Sequence, residues 1–347
     1  MCGIVGRINF DNQPVKPAEI KSMCQLVKHR GPDDEGIWVN RQIGLGSRRL
    51  SIIDLSPKGR QPLTNETGSI RVVLNGEIYN YSELRKKLIN QGHRFYSQTD
   101  TETIVHLWEE YGTGCIRWLR GMFAFALWDE KQQVLFLARD RLGKKPLKYY
   151  CDDRRLIFAS ELKAILAIKD IKKEPDCQAI DHYFGMEAVP EPFTGFKQIK
   201  KLPAASYLLV KKGKIKISRY WQIKFTPKLT LSFDKLKSEI LNRLKESVQL
   251  RMVADVEVGA FLSGGIDSSA IVALMSQLGQ KKINTFSVGF KNKELSEITY
   301  ARLVAKKFHT QHQEVILEPT SFNLLPALAK AYEEPYGDPS ALPTYLV

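Results

Sequence analysis

The sequence has little of what marks a secreted, disulfide-stapled or membrane protein. Its 347 residues include only five cysteines, Cys2, Cys24, Cys115, Cys151 and Cys177. Their number is odd, their spacing is irregular and no C-x-x-C occurs. This speaks against a disulfide framework and against a zinc site, and it fits a reducing, cytoplasmic setting. No run approaches 18 apolar residues, so no membrane span is expected. The N-terminus lacks a basic region followed by an apolar stretch, so no secretory signal is expected and residue 2 is free to become the mature terminus. Acidic residues are in deficit, 38 against 52 Lys and Arg, for a net charge of +14. The basic residues are scattered, as in Lys144, Lys145 and Lys148 or Lys211, Lys212, Lys214 and Lys216, with no interleaved aromatics and no nucleic-acid motif. A lysine-rich solvated surface is the expectation, with neither nucleic acid nor membrane as partner.

What is present suits two ordinary domains, at 43% hydrophobic and 26% charged residues. Residues 1–220 carry short β-type runs, including Ile70–Leu74, Phe123–Trp128, Val134–Ala138, Leu156–Ala159 and Tyr207–Val210. Helical stretches at Tyr81–Gln91 and Thr101–Tyr111 interrupt them, which predicts an α+β domain with antiparallel sheets. A linker is expected at 221–230, around Pro227. Over 231–347 the rhythm changes. Leu236, Ile240, Leu241, Leu244, Val248 and Met252 fall on one helical face. Val256–Leu262 is expected as a buried strand, followed by helix Ser268–Leu278, strand Ile283–Phe290, helix Glu297–Phe308, strand His312–Leu317 and helix Phe322–Tyr332. Such alternation predicts an α/β domain with a parallel sheet.

Cys2 opens the run Cys2-Gly3-Ile4-Val5-Gly6. Removal of Met1 would give it an α-amine of pKa about 7.7–8.0, close to the thiol's value of about 8.5. That amine can take the thiol proton and later return it, with no separate histidine. Taken alone, Cys2 is only a cysteine near a terminus. It is accompanied, in order, by His29-Arg30-Gly31-Pro32-Asp33, Arg48-Arg49-Leu50-Ser51-Ile52-Ile53-Asp54, Asn75-Gly76-Glu77-Ile78-Tyr79-Asn80, Asp100-Thr101-Glu102, Gly121-Met122-Phe123-Ala124-Phe125 and Arg139-Asp140-Arg141-Leu142-Gly143. Together these resemble the class II glutamine amidotransferases across the whole first domain. The resemblance implies an N-terminal-nucleophile hydrolase with an αββα sandwich. It implies that Cys2 attacks the glutamine amide, with Asn75 and the Gly76 N–H as oxyanion donors. Arg49 would hold the α-carboxylate, Asp100 with Glu77 the α-ammonium, and Leu50, Ser51, Ile52 and Ile53 would complete the glutamine contacts. The structural alternatives are a type I′ turn at Asn75-Gly76, a surface Arg49 and a helix cap at Asp100. Ser47 stands where many members of the family carry histidine.

A second site is suggested by Ser263-Gly264-Gly265-Ile266-Asp267-Ser268-Ser269, between an expected strand and an expected helix. Glycines let the backbone approach an anion, helix N–H groups point at it, and hydroxyls add donors. Asp267 suits a magnesium ion bridging phosphates better than bare phosphate. The alternative is a glycine turn with a serine cap. The loop is not G-x-x-x-x-G-K-S/T. It resembles that of the ATP pyrophosphatases, in which the positions of Leu262 and Val288 contact the nucleoside; ordinary core packing is the alternative for those two.

The order of the two domains resembles that of glutamine-hydrolysing asparagine synthetases. The resemblance implies a ligase using glutamine, aspartate and ATP with Mg2+, and allows a homodimer. It implies that ammonia from the first site displaces AMP from an adenylated aspartate. Family members run on beyond Val347 and carry a second glycine-acidic loop, so this chain is expected to hydrolyse glutamine without completing synthesis, and to leave apolar faces uncovered. Glu333–Ala341 lies where the acceptor pocket is shaped, so a sugar acid or a β-lactam precursor is an alternative acceptor. The second domain also reads as a non-catalytic ATP-binding module attached to a glutaminase, or as part of an enzyme that thiolates or amidates a nucleotide or tRNA. With no cysteine beyond Cys177, thiolation is disfavoured.

Overall fold

The computed structural model describes residues 1–279, 282–291, 296–317 and 323–346. The chain divides into two compact units, Met1–Lys224 with Glu333–Pro335, and Phe225–Tyr332 with Tyr336–Val347.

The first unit holds two six-stranded antiparallel sheets. One orders Ile199–Lys201, Lys148–Cys151, Arg155–Ala159, Gly3–Asn9, Ile43–Arg49 and Asp34–Asn40. The other orders Lys214–Arg219, Ser206–Lys211, Val134–Arg139, Gly121–Asp129, Ile70–Ile78 and Leu63–Thr64. Side-chain alternation explains the layering, since successive residues of a strand face opposite ways. Phe123, Phe125 and Leu127 join Val72 and Leu74 in a core with Leu84, Leu88, Ile104, Leu107 and Trp108 of the helices Tyr81–Asn90 and Glu102–Tyr111. The intervening Ala124, Ala126, Trp128 and Val73 face the other sheet and meet Ile4, Ile8 and Leu45. Val5, one position from Ile4, packs outward with Ile157 against Ile20, Met23 and Cys24 of helix Pro17–Leu26 and Leu162 and Ile165 of helix Leu162–Leu166. Three apolar cores between four layers make the αββα sandwich. At roughly 1.5–3 kcal/mol per buried large apolar side chain, these cores dominate its stability.

The second unit is an α/β arrangement. Strands Gly259–Phe261, Asn284–Phe290 and Gln311–Leu317 pair in parallel with helices Ile266–Gln277 and Ile298–Lys307 between them in sequence. Two expectations are corrected here. The strand expected over Val256–Leu262 shrinks to Gly259–Phe261, and Phe261 is 74% exposed rather than buried. The helix Phe233–Arg251 forms, but Ile240, Leu241 and Leu244 on its apolar face stand exposed, with no covering partner among the described residues. Periodicity reports which face is apolar and cannot report what covers it. The final expected helix is described over Leu325–Tyr332; Phe322 lies outside the described residues.

All five cysteines are free thiols. Among the described residues no helix is long and apolar enough to cross a membrane.

Candidate active site

Strand pairing gathers the expected residues of the first unit. Gly3 pairs with Arg48, which sets Cys2 beside the end of the neighbouring strand. The Leu50 N–H donates to Cys2 Sγ at 3.4 Å. The strand Ile70–Ile78 supplies Asn75, Gly76 and Glu77, and Asp100 precedes helix Glu102–Tyr111. One pocket is lined by Cys2, Arg49, Leu50, Ile52, Ile53, Asn75, Gly76, Glu77 and Asp100. Ser51 lies outside this lining, with its N–H donated to the Asp33 carboxylate at 2.8 Å.

Asn75 is fully buried, and neither its Oδ1 nor its Nδ2 has a hydrogen-bond partner among the described residues. An unpaired buried polar group costs about 1–3 kcal/mol, so this amide is open to a partner that the described residues do not supply. The type I′ turn considered for Asn75-Gly76 is not there. Both residues lie inside a strand, paired with Ala124 and Phe123. Gly76 is required for another reason: its φ is +154°, and a Cβ would stand 2.0 Å from the Met122 carbonyl oxygen.

Arg49 is not a surface arginine. It is 6% exposed, and its Nη2 donates to the carbonyls of Ile53 at 2.9 Å and Asp54 at 2.6 Å, with Nη1 3.4 Å from Ser56 O. It therefore folds the 53–56 loop around the pocket while lining it. Asp100 accepts the Ile78 N–H at 2.7 Å. Burial, reinforced by the nearby Glu77 charge, pushes its pKa up to about 6 against the pull of that hydrogen bond. Burial also pushes the Cys2 thiol up, opposed by the Leu50 N–H and the terminal amine. That amine belongs to Met1, which also lines the pocket, and burial lowers its pKa.

The flanking motifs hold these groups in place. Arg30 Nε donates to the Cys2 carbonyl at 3.0 Å, and its Nη1 reaches Glu161 at 2.8 Å. Burial opposes ionisation of Glu161, but bonds from Lys163 and Arg30 bring its pKa down to about 2. The Asp140 carboxylate accepts the N–H groups of Phe123, Leu142, Lys144 and Lys145. This aims Lys145 into the pocket, where its Nζ lies 2.6 Å from Met1 Sδ.

Gln61, Thr99, Thr101, Met122 and Lys145 also line the pocket, and sequence reasoning assigned none of them a role. Gln61 Oε1 accepts the Leu74 N–H at 2.7 Å and the Ser47 hydroxyl at 3.2 Å. Ser47 thus acts on the pocket wall through Gln61. Thr101 and Met122 sat in the quoted motifs and could have been found there. Gln61 had no local signal.

In the second unit, Gly264 has φ +86°, and a Cβ there would lie 2.5 Å from Ala301 N, so glycine is required. Gly265 caps the helix, while Ser268 Oγ lies 3.0 Å from Ser263 Oγ and accepts the Ser263 N–H at 3.2 Å. Leu262, Ser263 and Val288 line one pocket together with Phe286, Ser287 and Ala301. Gly264, Gly265, Asp267, Ser268 and Ser269 are not in that lining. Ser269 Oγ is buried without a partner among the described residues. Leu262 is 1% exposed, so core packing accounts for it as well as ligand contact does. Asp267 is exposed in the helix's first turn, which suits one carboxylate ligand of a Mg2+ ion otherwise held by phosphates and water.

Known proteins with similar sequences point the same way. Residues 1–221 match the family model described as a glutamine amidotransferase domain, and residues 239–347 match the one described as asparagine synthase. A Methanocaldococcus jannaschii protein provisionally named glutamine-hydrolyzing asparagine synthetase 2 is 40% identical over all of this chain and 71% of its own length. Glutamine-hydrolyzing asparagine synthetase 1 of Bacillus subtilis is 38% identical, again over all of this chain, but over 55% of its own length. The chain thus spans between about half and three quarters of these relatives. A solved structure described as the allosteric regulatory enzyme of purine biosynthesis aligns with 91% of the chain and 80% of its own, at a TM-score of 0.50 and 15% identity, a likeness of fold.

Proposed function

The chain belongs to the glutamine-hydrolysing asparagine synthetase family, and from that premise we propose that its first unit hydrolyses glutamine at Cys2. The observation that carries this reading is the Asn75 amide, buried and unpaired beside Gly76 in the pocket that holds the thiol.

Removal of Met1 frees the Cys2 α-amine. The amine takes the thiol proton as Sγ attacks the amide carbon. Negative charge collects on the former carbonyl oxygen, where Asn75 Nδ2 and the Gly76 N–H stabilise it. The C–N bond then breaks, the proton passes to the leaving nitrogen, and ammonia departs. Water attacks the thioester, releases glutamate and restores the thiol. Asp100 and Glu77 supply negative charge for the substrate ammonium. The Arg49 guanidinium supplies positive charge for its carboxylate, with the N–H groups not directed at the 53–56 loop.

The second unit, in this reading, adenylates an acceptor carboxylate. A carboxylate oxygen of aspartate attacks the α-phosphorus of ATP and pyrophosphate leaves. Ammonia then attacks the acyl carbon and AMP leaves, giving asparagine. Ser263, Gly264, Gly265, Ser268 and Ser269 fit the phosphates, Leu262 and Val288 the nucleoside, and Asp267 one ligand of Mg2+, which would neutralise phosphate charge. Aspartate as acceptor, a cytoplasmic place of action and a homodimer belong to this proposal, on the strength of the family.

The test is glutamate release from glutamine by the chain after mass spectrometry shows Met1 removed. Release that persists in Asn75→Ala at the native rate would overturn the assignment of the oxyanion site.

A further inference from the structure

A second constellation lies in the first unit, outside the glutamine pocket. Glu66, His93, His106 and Glu109 each present one ligand atom, and all four atoms lie within 4.8 Å of one another. His106 Nδ1 is 3.2 Å and His93 Nδ1 is 3.5 Å from Glu109 Oε2. Glu66 reaches His93 Nδ1 at 3.8 Å through Oε1 and His106 Nδ1 at 3.7 Å through Oε2. A tetrahedral zinc ion with bonds of about 2.0–2.1 Å has ligand–ligand edges of about 3.3 Å; the histidine–carboxylate separations of 3.2–3.8 Å are close to this, while a pair at the outer limit of 4.8 Å would have to close by about 1.5 Å, from 4.8 − 3.3.

The surroundings make the cluster more than a chance meeting of charges. Both imidazoles turn Nδ1 inward; His93 Nε2 meets an outer carboxylate, Glu110, at 2.9 Å, while His106 Nε2 makes no hydrogen bond among the described residues, the fully buried Glu102 lying 3.6 Å from it. Outer carboxylates of this kind fix ring orientation in metal-ligating histidines. Each inner carboxylate is anchored by a further hydrogen bond. Glu109 Oε1 accepts from Asn65 Nδ2 at 2.7 Å, and Glu66 Oε1 accepts the Arg94 N–H at 2.7 Å.

We propose that Glu66, His93, His106 and Glu109 form a structural zinc site. Four protein ligands leave no open position for catalysis. The ion would tie the turn before strand Ile70–Ile78 and the segment after helix Tyr81–Asn90 to helix Glu102–Tyr111, which begins two residues past Asp100.

The test uses the whole chain carrying Cys2→Ala, so that the active-site thiol cannot compete. After chelation, the protein is titrated with ZnCl2 by calorimetry and, separately, with Co2+ by absorption. About one equivalent of zinc per chain, a tetrahedral cobalt spectrum without a thiolate band, and a raised unfolding midpoint are expected. His93→Ala and Glu66→Gln, both away from the buried His106, each lower zinc affinity at least about tenfold. No saturable zinc binding, or undiminished affinity in both variants, would overturn the proposal.

Discussion

The two units carry their motifs in opposite ways. In the first, Asn75 and Gly76 sit inside a paired strand, and the segments around Cys2 and Lys145 are held by Arg30 and Asp140. Three apolar cores lie behind them. In the second, the glycine loop is partly exposed, and the buried apolar cluster around it comprises Leu262, Val272, Ala301 and Ala305. The first pocket has its geometry fixed by the fold, which is what the electrostatic stabilisation proposed for it would require. The second owes its shape mostly to serine hydroxyls and one glycine, so the phosphate contacts proposed for it would depend more on what binds there.

Four measurements sharpen or break that contrast. Cys2→Ala has the largest effect, removing the nucleophile; glutamate release falls to background, and persistent turnover would place the chemistry elsewhere. Asn75→Ala comes next. It loses about 100- to 1,000-fold in kcat, as removal of an oxyanion donor does. Because the amide has no partner among the described residues, its removal breaks no hydrogen bond seen there, and denaturant unfolding changes by less than about 1 kcal/mol. A large loss of stability instead would mean the residue is architectural.

A subtler effect concerns Asp100, whose raised pKa lies at about 6. Above that pH its carboxylate is charged and, in the proposed role, would attract the substrate ammonium; below it, the neutral acid would not. Glutamine affinity of the Cys2→Ala protein, measured by calorimetry, therefore weakens by up to about tenfold per pH unit under pH 6. Asp100→Asn flattens that dependence, and a flat profile in the unsubstituted background would remove Asp100 from ammonium binding. The smallest effect on glutaminase belongs to Gly264→Ala. It strains a φ of +86° and costs the second unit more than about 1 kcal/mol, while glutamate release stays within about twofold. A comparable loss of glutaminase would show the units to be energetically coupled.

Legibility in the sequence follows the same division. The strands around Asn75 and the helix holding His106 were readable because periodicity and local motifs coincide there. The Asn-Gly pair was open to misreading as a turn because a dipeptide carries no record of the strand opposite it. Gln61 and Lys145 reach the pocket by long-range pairing, which spacing does not encode. The helix Phe233–Arg251 was readable as amphipathic, but its exposed Ile240 was not foreseeable from its own residues. The odd cysteine count argued against zinc only through cysteine. His93 and Glu66 are 27 positions apart, from 93 − 66, and only the fold makes them neighbours.

Met1 lines the pocket around Cys2, and its sulfur meets Lys145. In the mechanism proposed above, Met1 would act as a propeptide one residue long. While Met1 remained, the proposed base would be tied up in a peptide bond and the cavity partly occupied, so a single cleavage would both arm the nucleophile and open the door.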